Sequence, residues 1–149
     1  MDGSALTIVP YHSRHEDAVI TLWETCGLTR PWNDPRRDIK RMLKVYPNLF
    51  LLGLREGNVV ASVMGGYDGH RGWLYYLGVH PDHRRQGCGR LMMDAVTRKL
   101  EALGCPKINL MIRTGNTTAL HFYERIGYQH DPVVTVSRRL VEYGQNRVE

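Results

Sequence analysis

The first apolar run of the chain, Leu6–Tyr11, is short and bounded by polar residues, as a strand requires. The period then changes. Ser13-Arg14-His15-Glu16 has the spacing of a capping box, and Val19, Leu22, Trp23 and Cys26 follow at helical intervals until Gly27. Asp34-Pro35 offers an N-cap with proline at the first helical position, opening a second helix. In that helix Arg37, Lys40, Arg41 and Lys44 share one face, while Ile39, Met42, Leu43 and Tyr46 share the other.

From Asn48 to Val79 the pattern is extended. Phe50–Leu54, Val59–Tyr67 and Trp73–Val79 are separated by Glu56-Gly57-Asn58 and by Asp68-Gly69-His70-Arg71-Gly72, which predicts antiparallel hairpins. Leu91, Met92, Ala95, Val96, Leu100 and Leu103 then repeat with the period of a buried helix that ends at Gly104. Lys107–Ile112 reads as a strand. Asn116 caps a helix carrying Ala119, Leu120, Tyr123 and Ile126 to Gly127, and Val133–Val136 is expected to close the domain as a last strand. The order β-α-α-β-β-β-α-β-α-β describes a mixed α/β domain, a mostly antiparallel sheet flanked by helices.

Size and composition narrow this without changing it. The chain has 149 residues, 42% hydrophobic and 23% charged, which is one domain's worth of sequence able to build its own core. No repeat, linker or low-complexity stretch divides it, so residues 1–149 read as a single domain. No run approaches the length of a membrane span, and MDGSALTIVPY lacks the pattern of a signal peptide, so the expected location is the cytoplasm and no membrane partner is expected. Cys26, Cys88 and Cys105 have neither a CxxC nor a Cys/His ligand spacing; all three are expected to be reduced, with no metal bound. The net charge of +5 is spread along the chain apart from the basic helix face, which is either a solvated surface or an attractor of anions. No nucleic-acid reading motif, aromatic platform or basic tail accompanies it, so no nucleic-acid partner is expected.

Chemistry concentrates between the third extended run and the long helix, over Gly78-Val79-His80-Pro81-Asp82-His83-Arg84-Arg85-Gln86-Gly87-Cys88-Gly89-Arg90-Leu91. A strand, a glycine-bearing loop and a helix start follow one another. That succession aims unpaired N–H groups and the positive end of a helix dipole at one point, where glycine lets a bulky anion approach. Tight-turn glycines would leave the same trace, but Arg84, Arg85 and Arg90 favour a phosphate or pyrophosphate. No GK[ST] follows, and the spacing is not GxGxxG, so neither a Walker loop nor a dinucleotide fold is indicated.

Arg84-Arg85-Gln86-Gly87-Cys88-Gly89 resembles the (Gln/Arg)-x-x-Gly-x-(Gly/Ala) element of the GNAT acetyltransferase superfamily, with Val79 and Pro81 in the usual places upstream. A second run, Asn116-Thr117-Thr118-Ala119-Leu120-His121-Phe122-Tyr123-Glu124-Arg125-Ile126-Gly127-Tyr128, is similar to that superfamily's N-x-x-A-x-x-F-Y-x-x-x-G-(F/Y). The segments Arg30–Pro35, Gly65–Gly72 and Tyr75–Pro81 further resemble the bacterial YpeA-type acetyltransferases.

The resemblance implies a GNAT-type fold and an N-acetyltransferase. It would move an acetyl group from acetyl-coenzyme A, used as co-substrate, to a primary amine by direct transfer in a ternary complex. By position, the backbone of Gly87, Cys88, Gly89 and Arg90 would hold the coenzyme A pyrophosphate, flanked by Arg84 and Arg85. Leu77 and Val79 would offer main-chain groups to the pantetheine arm, and Asn116 would either contact that arm or cap its helix. Tyr123 would donate a hydrogen bond or proton to the leaving thiolate, unless it is a core aromatic. Many relatives carry a glutamate on the strand before the loop, whereas Trp73-Leu74-Tyr75-Tyr76-Leu77 has none. The base is left to Glu24, Asp34, Asp68 or water, and Cys88 is disfavoured as a nucleophile.

For the acceptor, a small molecule or peptide amine, the loop Leu28–Asp34 is the expected site. Trp32 would form a wall and Asn33 or Asp34 a contact, with Tyr75 and Tyr76 the next place to look. The oligomeric expectation is a monomer or homodimer. The competing expectation is a weak or inactive acyl-coenzyme A sensor on the same fold.

Overall fold

The computed structural model describes residues 5–142. Among these residues nine α-helices and β-strands form in the expected order: β1 (Thr7–Pro10), α1 (Glu16–Thr25), α2 (Pro35–Val45), β2 (Phe50–Arg55), β3 (Asn58–Tyr67), β4 (Gly72–Val79), α3 (Cys88–Ala102), β5 (Ile108–Leu110) and α4 (Thr117–Arg125). The strands make one sheet in sequence order, antiparallel except where β5 runs parallel to β4.

Strand alternation divides the core in two. Leu51, Ala61, Val63 and Leu74 face one way and pack with Met92, Met93, Val96 and Leu100 of α3, with Phe122, Tyr123 and Ile126 of α4 against the same cluster. Phe50, Leu52 and Met64 face the other way onto Val19 and Trp23 of α1 and Ile39 of α2. The sheet is therefore covered by α1 and α2 on one face and by α3 and α4 on the other. Trp23 is buried with its indole N–H donating to Ser62 Oγ at 2.9 Å, which removes the roughly 1–3 kcal/mol that an unpaired buried donor would cost.

The turn between β2 and β3 sets register: Glu56 and Gly57 both have positive φ, the pair of left-handed residues that a two-residue hairpin turn needs. At α2 the Asp34 carboxylate accepts from the amides of Arg36 and Arg37, with Pro35 at the first position as expected.

Two local expectations are corrected. The Ser13–Glu16 capping box does not form. Ser13–His15 is a 3-10 turn whose first amides are served by His12, and α1 begins at Glu16, whose carboxylate reaches Arg36 of α2 at 2.7 Å instead of turning back to Ser13. The closing strand over Val133–Val136 is also absent, and its valines are exposed. Its flanks are tied elsewhere: Asp131 to Lys107 at 2.9 Å, and Arg139 to the Trp32 carbonyl at 2.7 Å. The intervening chain crosses the surface outside the sheet.

Candidate active site

The site begins with a mismatch in the sheet. Ser62 of β3 lies opposite Gly78, and Met64 opposite Tyr75, so β4 carries one extra residue between them, a bulge at Tyr76-Leu77. Tyr76 has φ +54, uncommon for a bulky side chain. On the other edge of β4, pairing with β5 covers only Gly72–Leu74. The expected strand Lys107–Ile112 is accordingly reduced to Ile108–Leu110, and β4 presents a free edge from Tyr75 to Val79.

Main-chain groups on that edge are oriented by the register. His80 N–H donates to the Val60 carbonyl at 2.8 Å, which makes Ala61–Val79 a non-hydrogen-bonded pair and turns both polar groups of Val79 away from β3. The Val79 carbonyl accepts from Arg84 Nε at 2.9 Å and from Cys26 Sγ at 3.4 Å, so its N–H is the group left for an added strand. The gap between β4 and β5 thus has the form of a slot for an extended, amide-bearing chain.

At the end of the slot the glycine loop enters α3. Arg85 has φ +61 and Gly87 φ +81, two left-handed residues in three positions, which turns successive amides inward as in an anion-binding nest. No side chain caps α3, and the first helical bond runs from Leu91 N–H to the Gly87 carbonyl. The amides of Cys88, Gly89 and Arg90 therefore have no intrahelical acceptor and point at the loop mouth with the positive end of the dipole.

The two glycines differ in role. A Cβ on Gly87 would meet nothing within 4 Å, leaving open space above the amides, whereas a Cβ on Gly89 would lie 3.2 Å from the Phe122 ring. Gly89 is what lets α3 and α4 approach each other. Cys88 is buried, so its contribution to the loop is its backbone and its thiol is not presented to a substrate.

One residue of this region carried no motif. Arg55, at the end of β2, is only 7% exposed and extends beneath the loop, where Nη1 contacts His83 Nδ1 at 3.2 Å and donates to Gln86 Oε1. Its Nε has no partner, and it has no carboxylate within ion-pair distance among the described residues. A basic residue ending an apolar strand is ordinary in sequence, and only the fold places it under the loop.

Tyr123, on α4, stands edge-on to Phe122 and Tyr128, with centroids 5.1 and 5.6 Å away. Burial, followed by the neighbouring Tyr128, raises its phenol well above the ordinary tyrosine value, so at neutral pH it is a protonated hydrogen-bond donor. Asn116 caps α4 through Oδ1, which accepts from Ala119 N–H at 3.1 Å.

The loop before α2 is held from two directions. Arg113, beyond β5, and Arg139, in the C-terminal segment, lie over Trp32 with guanidinium carbons 5.5 and 6.0 Å from the ring centroid. Arg139 also donates to the Trp32 carbonyl and, at 3.2 Å, to Asn33 Oδ1.

The three carboxylates named as base candidates lie elsewhere in role: Glu24 is exposed on α1, Asp34 caps α2, and Asp68 accepts from the amides of His70 and Arg71 in the β3–β4 turn. Those amide bonds hold Asp68 below the usual carboxylate range. Tyr75 is 41% exposed, and partial desolvation of the ring, followed by the charge of Asp68, raises its phenol. Tyr76 is half-buried, stacked on Trp23 at 3.7 Å, with Oη donating to Asp38 Oδ2 at 2.7 Å.

Among the described residues no group of three or more His, Cys, Asp and Glu could hold a metal, and no helix is long and apolar enough to cross a membrane.

A slot ending in a nest of unpaired amides suits an extended, amide-bearing chain that terminates in an anion. The acetyltransferase (GNAT) family model matches residues 17–128, and the chain belongs to that family. It is 52% identical over 132 residues to an acetyltransferase of Sodalis glossinidius (strain morsitans), covering 87% of this chain and 93% of that protein. Among solved structures it is similar to Ard1 from Thermoplasma volcanium, at 25% identity with a TM-score of 0.76, covering 89% of this chain and 85% of the other. The fold is shared with AAC(6')-Iy in complex with the bisubstrate analogue CoA-S-monomethyl-acetylneamine, at 16% identity with a TM-score of 0.75, covering 91% and 99%.

Proposed function

We propose that this protein is an N-acetyltransferase that moves the acetyl group of acetyl-coenzyme A directly to a primary amine within a ternary complex, and that it belongs to the YpeA-type subgroup. The observation that carries this reading is the open edge of β4 running into the uncapped N-terminus of α3. Pantetheine would lie along Leu77 and Val79 as an added strand, its amides meeting main-chain groups, while the pyrophosphate sits on the amides of Gly87, Cys88, Gly89 and Arg90. Arg85 and Arg90 are exposed beside that position, whereas Arg84 is bent back onto the Val79 carbonyl.

The thioester would then reach the end of the slot nearest Tyr123, whose hydroxyl donates a hydrogen bond to the departing sulfur. The acceptor would enter from the α1–α2 face, past Trp32, Asn33 and Asp34, with Tyr75 and Tyr76 on the strand below. A buried Cys88 thiol favours direct attack over an acyl-cysteine intermediate.

The sensor reading draws on β4 having no carboxylate, and one experiment separates the two. Acetyl-coenzyme A at 100 times its dissociation constant is expected to add about 2.7 kcal/mol of stability, read as a raised melting temperature. A panel of primary amines, assayed for released thiol, is expected to contain acceptors. A melting shift with no thiol release from any amine would establish the sensor, and no shift at all would remove coenzyme A from the site.

A further inference from the structure

An amine that enters as an ammonium ion must lose a proton before its nitrogen can attack a thioester, and β4 supplies tyrosines where a carboxylate would serve. The fold brings a carboxylate to that position from another element. Tyr76 occupies the bulge, two residues beyond the last β4–β5 pair, where the sheet opens. Its ring is stacked on Trp23 at an interplanar angle of 11°, and its carbonyl accepts from Ser62 Oγ at 2.8 Å. Its hydroxyl is thereby aimed at Asp38 Oδ2, while Asp38 Oδ1 accepts from Arg41 at 2.9 Å. Asp38 lies in the first turn of α2, one turn beyond Asp34 and the loop through which the acceptor would arrive. Its side chain is 25% exposed, so one edge reaches water.

We propose that Tyr76 and Asp38 form the proton relay for the attacking amine, with Tyr76 as the catalytic residue that meets the ammonium and Asp38 as the positioning residue and proton sink behind it. This rests on the acetyl-transfer reading above. The ammonium N–H proton passes to Tyr76 Oη as the Tyr76 proton passes to Asp38 Oδ2, leaving a neutral amine, a neutral tyrosine and a protonated Asp38 that returns its proton to water. The amine nitrogen then bonds to the acetyl carbon as the C–S bond breaks. The second amine proton, lost as the amide forms, is balanced by protonation of the coenzyme A thiolate.

Burial, then the hydrogen bond to Asp38, pushes the Tyr76 phenol up, so Tyr76 can take a proton only while giving one away. The other charges acting on it are Arg41, which favours ionisation, and Asp34, which opposes it.

The test compares ethylamine, protonated at neutral pH, with trifluoroethylamine, largely neutral there, using the full chain and acetyl-coenzyme A. Asp38→Asn keeps a hydrogen-bond acceptor, and Tyr76→Phe keeps the stack on Trp23, so either serves if the other does not fold. Both variants are expected to lose about tenfold or more in kcat/KM for ethylamine, to stay within about twofold for trifluoroethylamine, and to retain the melting shift with acetyl-coenzyme A. Equal losses for both amines, or no loss for either, would overturn the relay and leave the pair as a tie between α2 and the sheet. Loss of thiol release with every amine of the panel in the wild-type protein defeats the transfer reading as well, which distinguishes the two failures.

Discussion

Tyr123 illustrates how much a single side chain depends on its surroundings. A phenol with an ordinary pKa near 10 sits about 2 kcal/mol above a thiol near 8.5 as a proton donor, and burial widens that gap by favouring the neutral form. Full proton transfer to the thiolate therefore becomes costlier, while hydrogen-bond donation to sulfur is untouched. Replacing Tyr123 with Phe removes only the hydroxyl. The expected result is a fall in kcat of roughly tenfold to a thousandfold, with the acetyl-coenzyme A melting shift unchanged. Steady-state kinetics beside a thermal melt checks this, and equal turnover would assign Tyr123 to packing with Phe122 and Tyr128. Tyr123 is singled out in the sequence as an expected donor by the motif around it. Asp38 is not, because an aspartate in the first turn of a basic helix looks like an ion-pair partner, which it also is for Arg41.

At the level of elements, the proposed pyrophosphate site is the junction of β4, a left-handed loop and α3. Gly87 tests it most directly, because Gly89 also sets the approach of α3 to α4 and its replacement would disturb packing. Asparagine tolerates a left-handed backbone better than other L residues, so Gly87→Asn should fold while its side chain fills the open space above the amides. The acetyl-coenzyme A melting shift is expected to disappear with the unliganded melting temperature little changed. A preserved shift would move the anion to another part of the molecule. The periods of α1, α2, α3 and α4 were readable because each helix turns its apolar face to the core, and the capping box failed because its own carboxylate, Glu16, had a cation of the adjacent helix, Arg36, within reach.

Across the whole molecule, the gap beside β4 is a property of the sheet, since one extra residue in β4 and a short parallel partner open it. The same packing has a pH signature. Tyr76 and Tyr123 both titrate above the ordinary value of 10.0 when folded, so the unfolded chain releases their protons first as pH rises. Their contribution is complete below pH 10 and is lost as pH climbs toward their folded values. The melting temperature is expected to fall above pH 10, and Tyr123→Phe to blunt that fall. Parallel alkaline profiles for the variant and the parent would remove Tyr123 from the cause.

What the amino-acid sequence determined by itself was local: the order and type of the elements from β1 to α4, the capped start of α2, the glycine-arginine loop at α3 and the tyrosine on α4. These rest on period, turn chemistry and short motifs, which act over a few residues. Only the tertiary structure decided which residues meet across long separations. Asp38 lies against Tyr76, Arg55 beneath His83 and Gln86, and Arg139 on the Trp32 carbonyl. It also left Val133–Val136 outside the sheet despite a strand-like composition. A strand needs a partner edge within reach, and whether one is reachable is set by where both ends of the segment are anchored, which no local pattern encodes.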